Sequence, residues 1–265
     1  DWDHDGLALE ALAARLSERG LDYPHGLAPR PNSGRPSGFD LDGNGRLDEA
    51  RDALGYGRFT GDGGLAILSR VPLGPATDHG PLWVEVSDVA ADLLPEGAGA
   101  VVPLATVGQW TVPVAGLTLI PMAAGTPVFD GPEDRNGLRN RDELALVARL
   151  AASVDRPVVL GRANVDPMDG EGVREGVQTL LAHPALQDPA PRGEGGGGEG
   201  HLGDPALDTA MWEGPGPLRV DYVLPAAPLE VTGAGIVWPA PGDPFREVVE
   251  AAGSGRLVWV DVALP

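Results

Sequence analysis

Hydrophobic residues along the chain fall into two patterns, one typical of helices and one typical of short buried strands. Apolar residues recur at helical spacing over residues 5–19, 138–153 and 172–182. Short apolar runs predict strands at 65–68, 110–114, 117–121, 157–161, 218–224, 236–239 and 256–264. Strands interspersed with helices predict an α/β domain, and we expect the first helix to pack on its sheet.

The strand predicted at 157–161 is the one that points most directly to a site. It stops at Gly161 and is followed by the polar segment Arg162-Ala-Asn-Val-Asp166. Loops that leave a strand at the edge of a sheet are where binding and catalytic groups concentrate. A second polar group, Asp221, stands among apolar neighbours in the strand predicted at 218–224.

Composition narrows the class of protein. The chain has 265 residues, 42% of them hydrophobic, and a formal net charge of −20, with no lysine. Such an acidic surface repels phosphate backbones, so nucleic acid is an unfavourable partner. The absence of cysteine excludes disulfides and thiolate metal sites. No apolar run is long enough to span a bilayer.

Oxygen-bearing side chains alternate in the segment 40–52, which reads Asp-Leu-Asp-Gly-Asn-Gly-Arg-Leu-Asp-Glu-Ala-Arg-Asp. The segment matches a calcium-binding loop at its first, third, fifth, sixth and eighth positions. The glutamate that closes such a loop at its twelfth position is replaced by Arg51, so closure falls to Asp48, Glu49 or Asp52. A solvated Asp/Gly turn is the alternative. The predicted Ca²⁺ ligands are Asp40, Asp42, Asn44, Arg46, Asp48 and Asp52.

The polar segment at 162–166 resembles the Gly-Asp-x-Asn-x-Asp-Pro segment of the endonuclease/exonuclease/phosphatase (DNase I-like) superfamily. Three further segments resemble that family in the same order: residues 55–70, ending in Leu-Ser-Arg; the Arg-Val-Asp-Tyr-Val-Leu strand at 219–224; and the closing strand Leu-Val-Trp-Val-Asp at 257–261. The resemblance implies a DNase I-like four-layer sandwich in which two packed mixed β-sheets are flanked by helices. It also implies a single domain over residues 1–265, shortened at its N-terminus and lacking the family's first strands.

The resemblance also implies where catalytic groups would stand, and several are replaced. Asn164 and Asp221 keep the family's residues. Arg162 stands where the family has an aspartate, and Ala123 and Gly255 stand where it has histidines; Ser254 replaces a further aspartate. Alanine and glycine cannot transfer a proton, and the permanent charge of Arg162 opposes a cation. That guanidinium is expected either to pair with Asp221 or to bind an anion.

These replacements predict a catalytically degenerate protein with a calcium-stabilised binding or structural role. Its vestigial cleft is expected to contain Asn164, Asp221, Arg162, Asp166 and Asp208. The partner would be an anionic small molecule or a protein, including the other subunits of a larger assembly. The calcium loop favours a periplasmic or secreted protein.

The alternative is a metal-dependent phosphoesterase whose active site has been rearranged and which uses Mg²⁺ or Mn²⁺. A structure distinguishes this alternative from the degenerate protein, because the ligand groups of a phosphoesterase would have to lie around one metal ion. Those groups would be Asp166, Asp169, Asp204, Asp208, Asp221 and His201.

Two other polar clusters complete the candidates. The family has a metal-binding carboxylate near the position where this chain starts, so Asp1 or Asp3 is a candidate ligand. The alternative is that these acidic residues cap the first helix and are otherwise solvated. The loop at 127–137 resembles an Asp-rich signature of a bacterial subfamily, which makes Arg135, Arg139 or Asn140 a candidate for lining a site.

The Gly/Pro-rich segment 188–200 is expected to be a mobile surface loop.

Overall fold

A computed structural model describes residues 6–264 of the chain, so the candidate ligands Asp1 and Asp3 lie outside the described residues. The described α-helices are α1 Leu7–Ser17, α2 Trp83–Val86, α3 Ala90–Leu93, α4 Arg135–Ser153, α5 Glu175–Leu181 and α6 Phe245–Ala251. The strands are β1 His25–Leu27, β2 Ile67–Ser69, β3 Thr77–Asp78, β4 Trp110–Val114, β5 Leu117–Ala123, β6 Pro157–Arg162, β7 Ala210–Trp212, β8 Gly216–Leu218, β9 Asp221–Pro225, β10 Val231–Val237 and β11 Leu257–Val262. The α/β class predicted from the sequence is confirmed.

A five-stranded mixed sheet in the order β3-β4-β5-β6-β9 forms the centre of the fold. Strands β5 and β6 run parallel, and the long helix α4 connects them, because a parallel pair needs a crossover. Strand β9 then pairs antiparallel with β6. As a result, β5, β6 and β9 bring Ala123, Arg162 and Asp221 side by side at one edge of the sheet.

Helix α4 packs on this sheet with an apolar stripe typical of a core-facing helix. Leu144, Val147 and Ala151 on this stripe are almost fully buried against sheet residues such as Ile120 and Val159. The same face also buries the polar side chains of Asn140 and Glu143. Buried polar groups need partners, so these two side chains must serve specific contacts.

The remaining strands form smaller antiparallel pairs among the described residues: β1 with β2, β7 with β8, and β10 with β11. The strand predicted at 218–224 is divided into β8 and β9, because the backbone at Arg219 and Val220 turns from one pairing to the other. Helix α6 was not predicted. Helix α1 was predicted to pack on the sheet, but none of its residues is buried, so that prediction is wrong.

Residues 28–66 contain no helix and no extended strand, yet the segment packs on the domain. Isolated bridges join Ser33 to Gly55 and Pro36 to Ala53. Leu41 and Leu54 form a small core with residues 98 and 102. This long loop therefore has its own anchor points on the domain.

The Gly/Pro-rich segment 188–200 was predicted to be a mobile surface loop; its residues 193–197 contact the domain, whereas residues 198–200 are exposed. The amide of Glu194 donates to the carbonyl of Trp238 at 2.8 Å, and the amide of Gly197 donates to Asp208. A Cβ at Gly195 would lie 2.0 Å from the Trp238 ring, so the backbone approaches this ring too closely for any other residue.

Within the described residues, no helix is long and apolar enough to cross a membrane.

Candidate active site and metal-binding loop

Arg162 and Asp221 form a two-pronged ion pair at the edge of the central sheet. The residues are direct partners across β6 and β9. Arg162 Nε donates to Asp221 Oδ1 at 2.8 Å, and Nη2 donates to Oδ2 at 2.9 Å. Both oxygens of the carboxylate are thus engaged by the planar guanidinium, the geometry that binds carboxylates most strongly. Of the two alternatives for Arg162, the structure shows the internal pair.

The residues around this pair leave room for the arginine. Ala123 is the partner of Arg162 across β5 and β6, and it presents only a methyl group. On the other side, a Cβ at Gly255 would lie 2.7 Å from Arg162 Nη2. The guanidinium also stacks on Trp212, with its carbon 5.7 Å from the ring centre. Arg162 therefore occupies the space that a side chain at position 255 would need.

Substituting Gly255 with alanine should lower the free energy of unfolding by about 1–2 kcal/mol, because the new methyl group displaces a charge-assisted donor. In an Arg162→Met background the same substitution should cost less than about 0.5 kcal/mol. Urea denaturation of the wild type, the two single variants and the double variant measures this coupling. Strictly additive costs would show that the two positions do not compete for space.

The side chains of Asn164, Asp166 and Asp208 each form hydrogen bonds with the backbone. Asn164 has a left-handed φ of 59° and donates to the carbonyl of Ala124 at 2.7 Å. Asp166 accepts the amides of residues 168 and 169 on one oxygen, and the amide of Arg219 at 2.6 Å on the other. Asp208 accepts the amide of Gly197 at 2.9 Å. These contacts hold the loops around the sheet edge together.

The ligand groups of a rearranged phosphoesterase do not converge on one ion. Asp221 is paired with Arg162, and Asp204 forms an ion pair with Arg192 at 2.8 Å. His201 does lie between Asp169 and Asp208, at 3.5 Å from each. Across residues 6–264, however, only the carboxylates of Asp40, Asp42 and Asp52 bring three such ligand atoms within 4.8 Å of one another.

The candidates on helix α4 hold the loops together instead of lining a site. Arg139 donates to the carbonyls of Leu54, Pro103 and Leu104 at 2.7–2.9 Å. Burial lowers its pKa to about 10. Asn140 is fully buried and donates to the carbonyls of Gly125 and Ala163, each at 2.7 Å. Arg135 binds the carbonyl of Leu41.

Glu143 belongs to the same group, and the sequence analysis missed it. One carboxylate oxygen accepts the amide and hydroxyl of Thr106 at 2.6 and 2.9 Å, and the other accepts the amide of Gly125 at 2.6 Å. Burial raises the pKa of Glu143, while Arg139 and the donors to its oxygens oppose that shift. Its position four residues before Val147 on the apolar stripe was a signal in the sequence, because a carboxylate there must be buried.

The acidic loop brings three of its predicted ligands together. Asp40 accepts the amides of residues 43, 44 and 45, and those hydrogen bonds lower its pKa. Asp52 is buried and accepts the amides of Leu41 and Glu49 at 2.8 and 3.2 Å. Of the three residues predicted to close the loop, Asp52 is the one that lies in the group with Asp40 and Asp42. Asp48 is exposed, has a φ of 62° and lies outside the group.

The other predicted ligands of the loop remain at its exposed rim. Asn44 donates from its side chain to Asp42 at 3.1 Å and to Glu49 at 2.7 Å. Its side-chain oxygen accepts the amide of Arg46 at 2.8 Å. Carboxylates held this closely fit a hard divalent cation, which would offset their mutual repulsion. The group formed by Asp40, Asp42 and Asp52 could therefore hold a metal ion.

The central mixed sheet, its flanking helices and the polar residues at one sheet edge define an α/β protein of the DNase I-like class. The sequence profile described as the Endonuclease/Exonuclease/phosphatase family matches residues 2–254. The chain therefore belongs to that family, whose members typically use divalent metals. A search of curated proteins gave no match.

Solved structures agree on the fold. An endonuclease/exonuclease/phosphatase from Beutenbergia cavernae is similar with a TM-score of 0.55 and 18% sequence identity, over 96% of this chain and 57% of that protein. The 3′ phosphatase NExo from Neisseria, bound to a product DNA hairpin, is similar with a TM-score of 0.50 and 16% identity, over 76% of this chain and 75% of that protein. At these identities the likeness concerns the fold alone.

Proposed function

We propose that the chain is a catalytically degenerate member of its family, in which the former catalytic edge of the sheet no longer hydrolyses phosphate esters. The observation that carries this proposal is the two-pronged pair between Arg162 and Asp221. The pair engages both oxygens of the one carboxylate at this edge that the family resemblance marks as catalytic.

The chemistry of phosphate ester hydrolysis supports the proposal. The reaction needs a cation to neutralise the phosphoryl oxygens and a base to activate water. Arg162 places a permanent positive charge where the cation would be held. Ala123 and Gly255 provide no group that accepts or donates a proton. Neither requirement is therefore met by the residues at this edge.

We further propose that calcium is the ion of the loop 40–52 and that its role is structural. All three clustered ligands are carboxylates, and calcium prefers oxygen ligands. The loop joins the domain through Leu41, which packs in the small core and whose carbonyl binds Arg135 on α4. A bound cation would thus fix a segment of the chain that lacks helices and strands.

A protein without phosphoesterase activity can still use the sheet edge with Arg162 to bind a ligand. Arg162 keeps a third of its side chain exposed beside Trp212, so an anionic small molecule or an acidic group of a protein partner could reach the guanidinium. The chain's charge of −20 makes nucleic acid an unfavourable partner. Export to the periplasm or the medium would supply calcium at the concentrations that such loops require.

The test is a turnover assay with Mg²⁺ or Mn²⁺. Bis-p-nitrophenyl phosphate, p-nitrophenyl phosphate and a DNA hairpin carrying a 3′ phosphate represent diesters, monoesters and the substrate class of the Neisseria relative. We expect the rate of the wild type to equal that of Asp221→Ala on all three. A robust rate that disappears in both Asp221→Ala and Asn164→Ala would overturn the proposal.

A further inference from the structure

A buried histidine whose role the proposed function does not explain lies between two carboxylates. The side chain of His201 is 8% exposed, and its two ring nitrogens face Asp169 and Asp208 on opposite sides. Nδ1 is 3.5 Å from Asp169 Oδ2, and Nε2 is 3.5 Å from Asp208 Oδ1. Among the residues that the structure describes, Nε2 has no hydrogen-bond partner. A buried, unpartnered nitrogen of this kind requires an explanation.

The separation of Nε2 and the Asp208 oxygen is informative. At 3.5 Å it exceeds the usual length of a hydrogen bond between nitrogen and oxygen. Two ligands of a tetrahedral zinc ion, each about 2.0–2.1 Å from the metal, lie about 3.3–3.4 Å apart. The observed distance is therefore close to that between two groups sharing a metal ion.

The carboxylate on the other side of the ring is fixed in position. Asp169 accepts the amides of Leu202 and Gly203 at 2.8 and 2.7 Å, one on each oxygen. With a metal ion on Nε2, the proton of the neutral imidazole would lie on Nδ1, where it faces Asp169. Histidines that bind metals commonly have such a partner. Asp208 is also oriented, because the amide of Gly197 binds Oδ2 and leaves Oδ1 toward the histidine.

The charges around the histidine favour a cation. Burial raises the pKa of Asp208 to about 6, and the nearby carboxylates of Asp166 and Asp169 add to that shift. Asp204 also lies close enough to interact with His201, although Arg192 pairs with it. A divalent ion bound here would relieve the repulsion among these carboxylates.

We propose that His201 Nε2 and Asp208 Oδ1 bind a divalent transition-metal ion of the zinc class, with water completing its coordination. Mixed nitrogen and oxygen ligands suit zinc better than calcium, which takes oxygen alone. The ion would fasten the glycine-rich segment 194–200 to the domain, because Gly197 is bound to Asp208 and His201 follows the segment directly. This site uses none of the residues of the acidic loop or of the Arg162–Asp221 pair.

Thermal unfolding with and without Zn²⁺ tests the site. We expect saturating Zn²⁺ to raise the Tm of the wild type and of the control variant His25→Gln by about 5 °C. The increase should be lost in His201→Gln and Asp208→Asn. Asp169→Asn should weaken zinc binding by about 10–100-fold without abolishing it. The proposal fails if Zn²⁺ has no effect on the wild type, or if His201→Gln keeps the full increase.

X-ray absorption at the zinc edge provides a test that needs no variant. A one-to-one complex of the wild type with Zn²⁺ should show an imidazole nitrogen together with oxygen ligands at about 2.0–2.2 Å. An all-oxygen shell would overturn the proposal, because it would place the ion in the acidic loop or on surface carboxylates.

Discussion

Replacing Glu143 with alanine should lower the free energy of unfolding by about 4 kcal/mol, which corresponds to a fall in Tm of about 8–16 °C for a domain of this size. The substitution removes a buried carboxylate that accepts hydrogen bonds from the amide and hydroxyl of Thr106 and from the amide of Gly125. Each donor left without a partner costs about 1–3 kcal/mol. The buried guanidinium of Arg139, one helical turn earlier, would also lose the opposing charge of Glu143.

Urea denaturation measures this effect, and Arg149→Ala is the matched control. Arg149 is exposed on the same helix, so its loss should change stability by less than about 0.5 kcal/mol. Glu143→Gln should fall between the two, because an amide offers only one accepting oxygen where the carboxylate uses two. A cost below about 1 kcal/mol for Glu143→Ala would mean that these hydrogen bonds do not hold the loops.

Removing calcium should lower the Tm by about 5–10 °C. A ligand present at 100 times its dissociation constant stabilises the folded state by about 2.7 kcal/mol, and each kcal/mol is worth about 2–4 °C at this size. Loops of this kind in extracellular modules bind calcium with dissociation constants of about 10⁻⁴–10⁻³ M, so the comparison is between excess calcium and excess chelator. Differential scanning calorimetry gives both transitions.

Single substitutions show whether that effect comes from the loop. Asp40→Ala and Asp42→Ala should abolish the calcium dependence, because both side chains belong to the clustered carboxylates. Asp48→Ala should keep it, since that side chain is exposed and outside the group. An identical Tm with calcium and with chelator would refute the calcium assignment. Loss of the effect in Asp48→Ala would instead support the ligand set predicted from the sequence pattern.

The sequence predicted those parts of the fold that depend on local patterns. Short apolar runs predicted β4, β5 and β6, and the order of four family-like segments predicted the class of the domain. The same segments marked Arg162 and Asp221, whose pairing follows from the register of β6 and β9. For Arg162 the sequence left two alternatives, an ion pair with Asp221 or an anion-binding site, and the structure shows the ion pair.

Features that depend on long-range packing were not predictable from local patterns. Helix α1 is amphipathic in sequence, yet nothing in its own residues shows whether a surface lies against it. The roles of Arg139 and Asn140 depend on carbonyls that are distant in the chain, such as those of Leu54 and Ala163. The Gly/Pro-rich segment was predicted to be mobile because glycine permits many conformations, and no local pattern showed that Gly195 approaches Trp238 at a distance that requires a residue without a side chain.

The contacts that hold the sheet edge together are independent of the positions where the resemblance places histidines. The residues that hold the sheet edge together, among them Asn140, Glu143 and Asp166, make their contacts with the backbone. None of these contacts involves Ala123 or Gly255. The network that supports the sheet edge therefore does not depend on the residues at positions 123 and 255, in agreement with the separation of fold from function in many families.

Anomalous diffraction from crystals soaked in Mn²⁺ shows whether the sheet edge with Arg162 and Asp221 binds a divalent cation. Mn²⁺ is accepted by oxygen-rich sites of both the calcium and the magnesium type, so it reports on the acidic loop and the former catalytic edge in one experiment. We expect an anomalous peak among Asp40, Asp42 and Asp52, and none within coordination distance of Asn164 or Asp221, with the Arg162–Asp221 pair intact. A peak coordinated by Asp221, with Arg162 displaced, would show that this edge is a working phosphoesterase site and not a degenerate one.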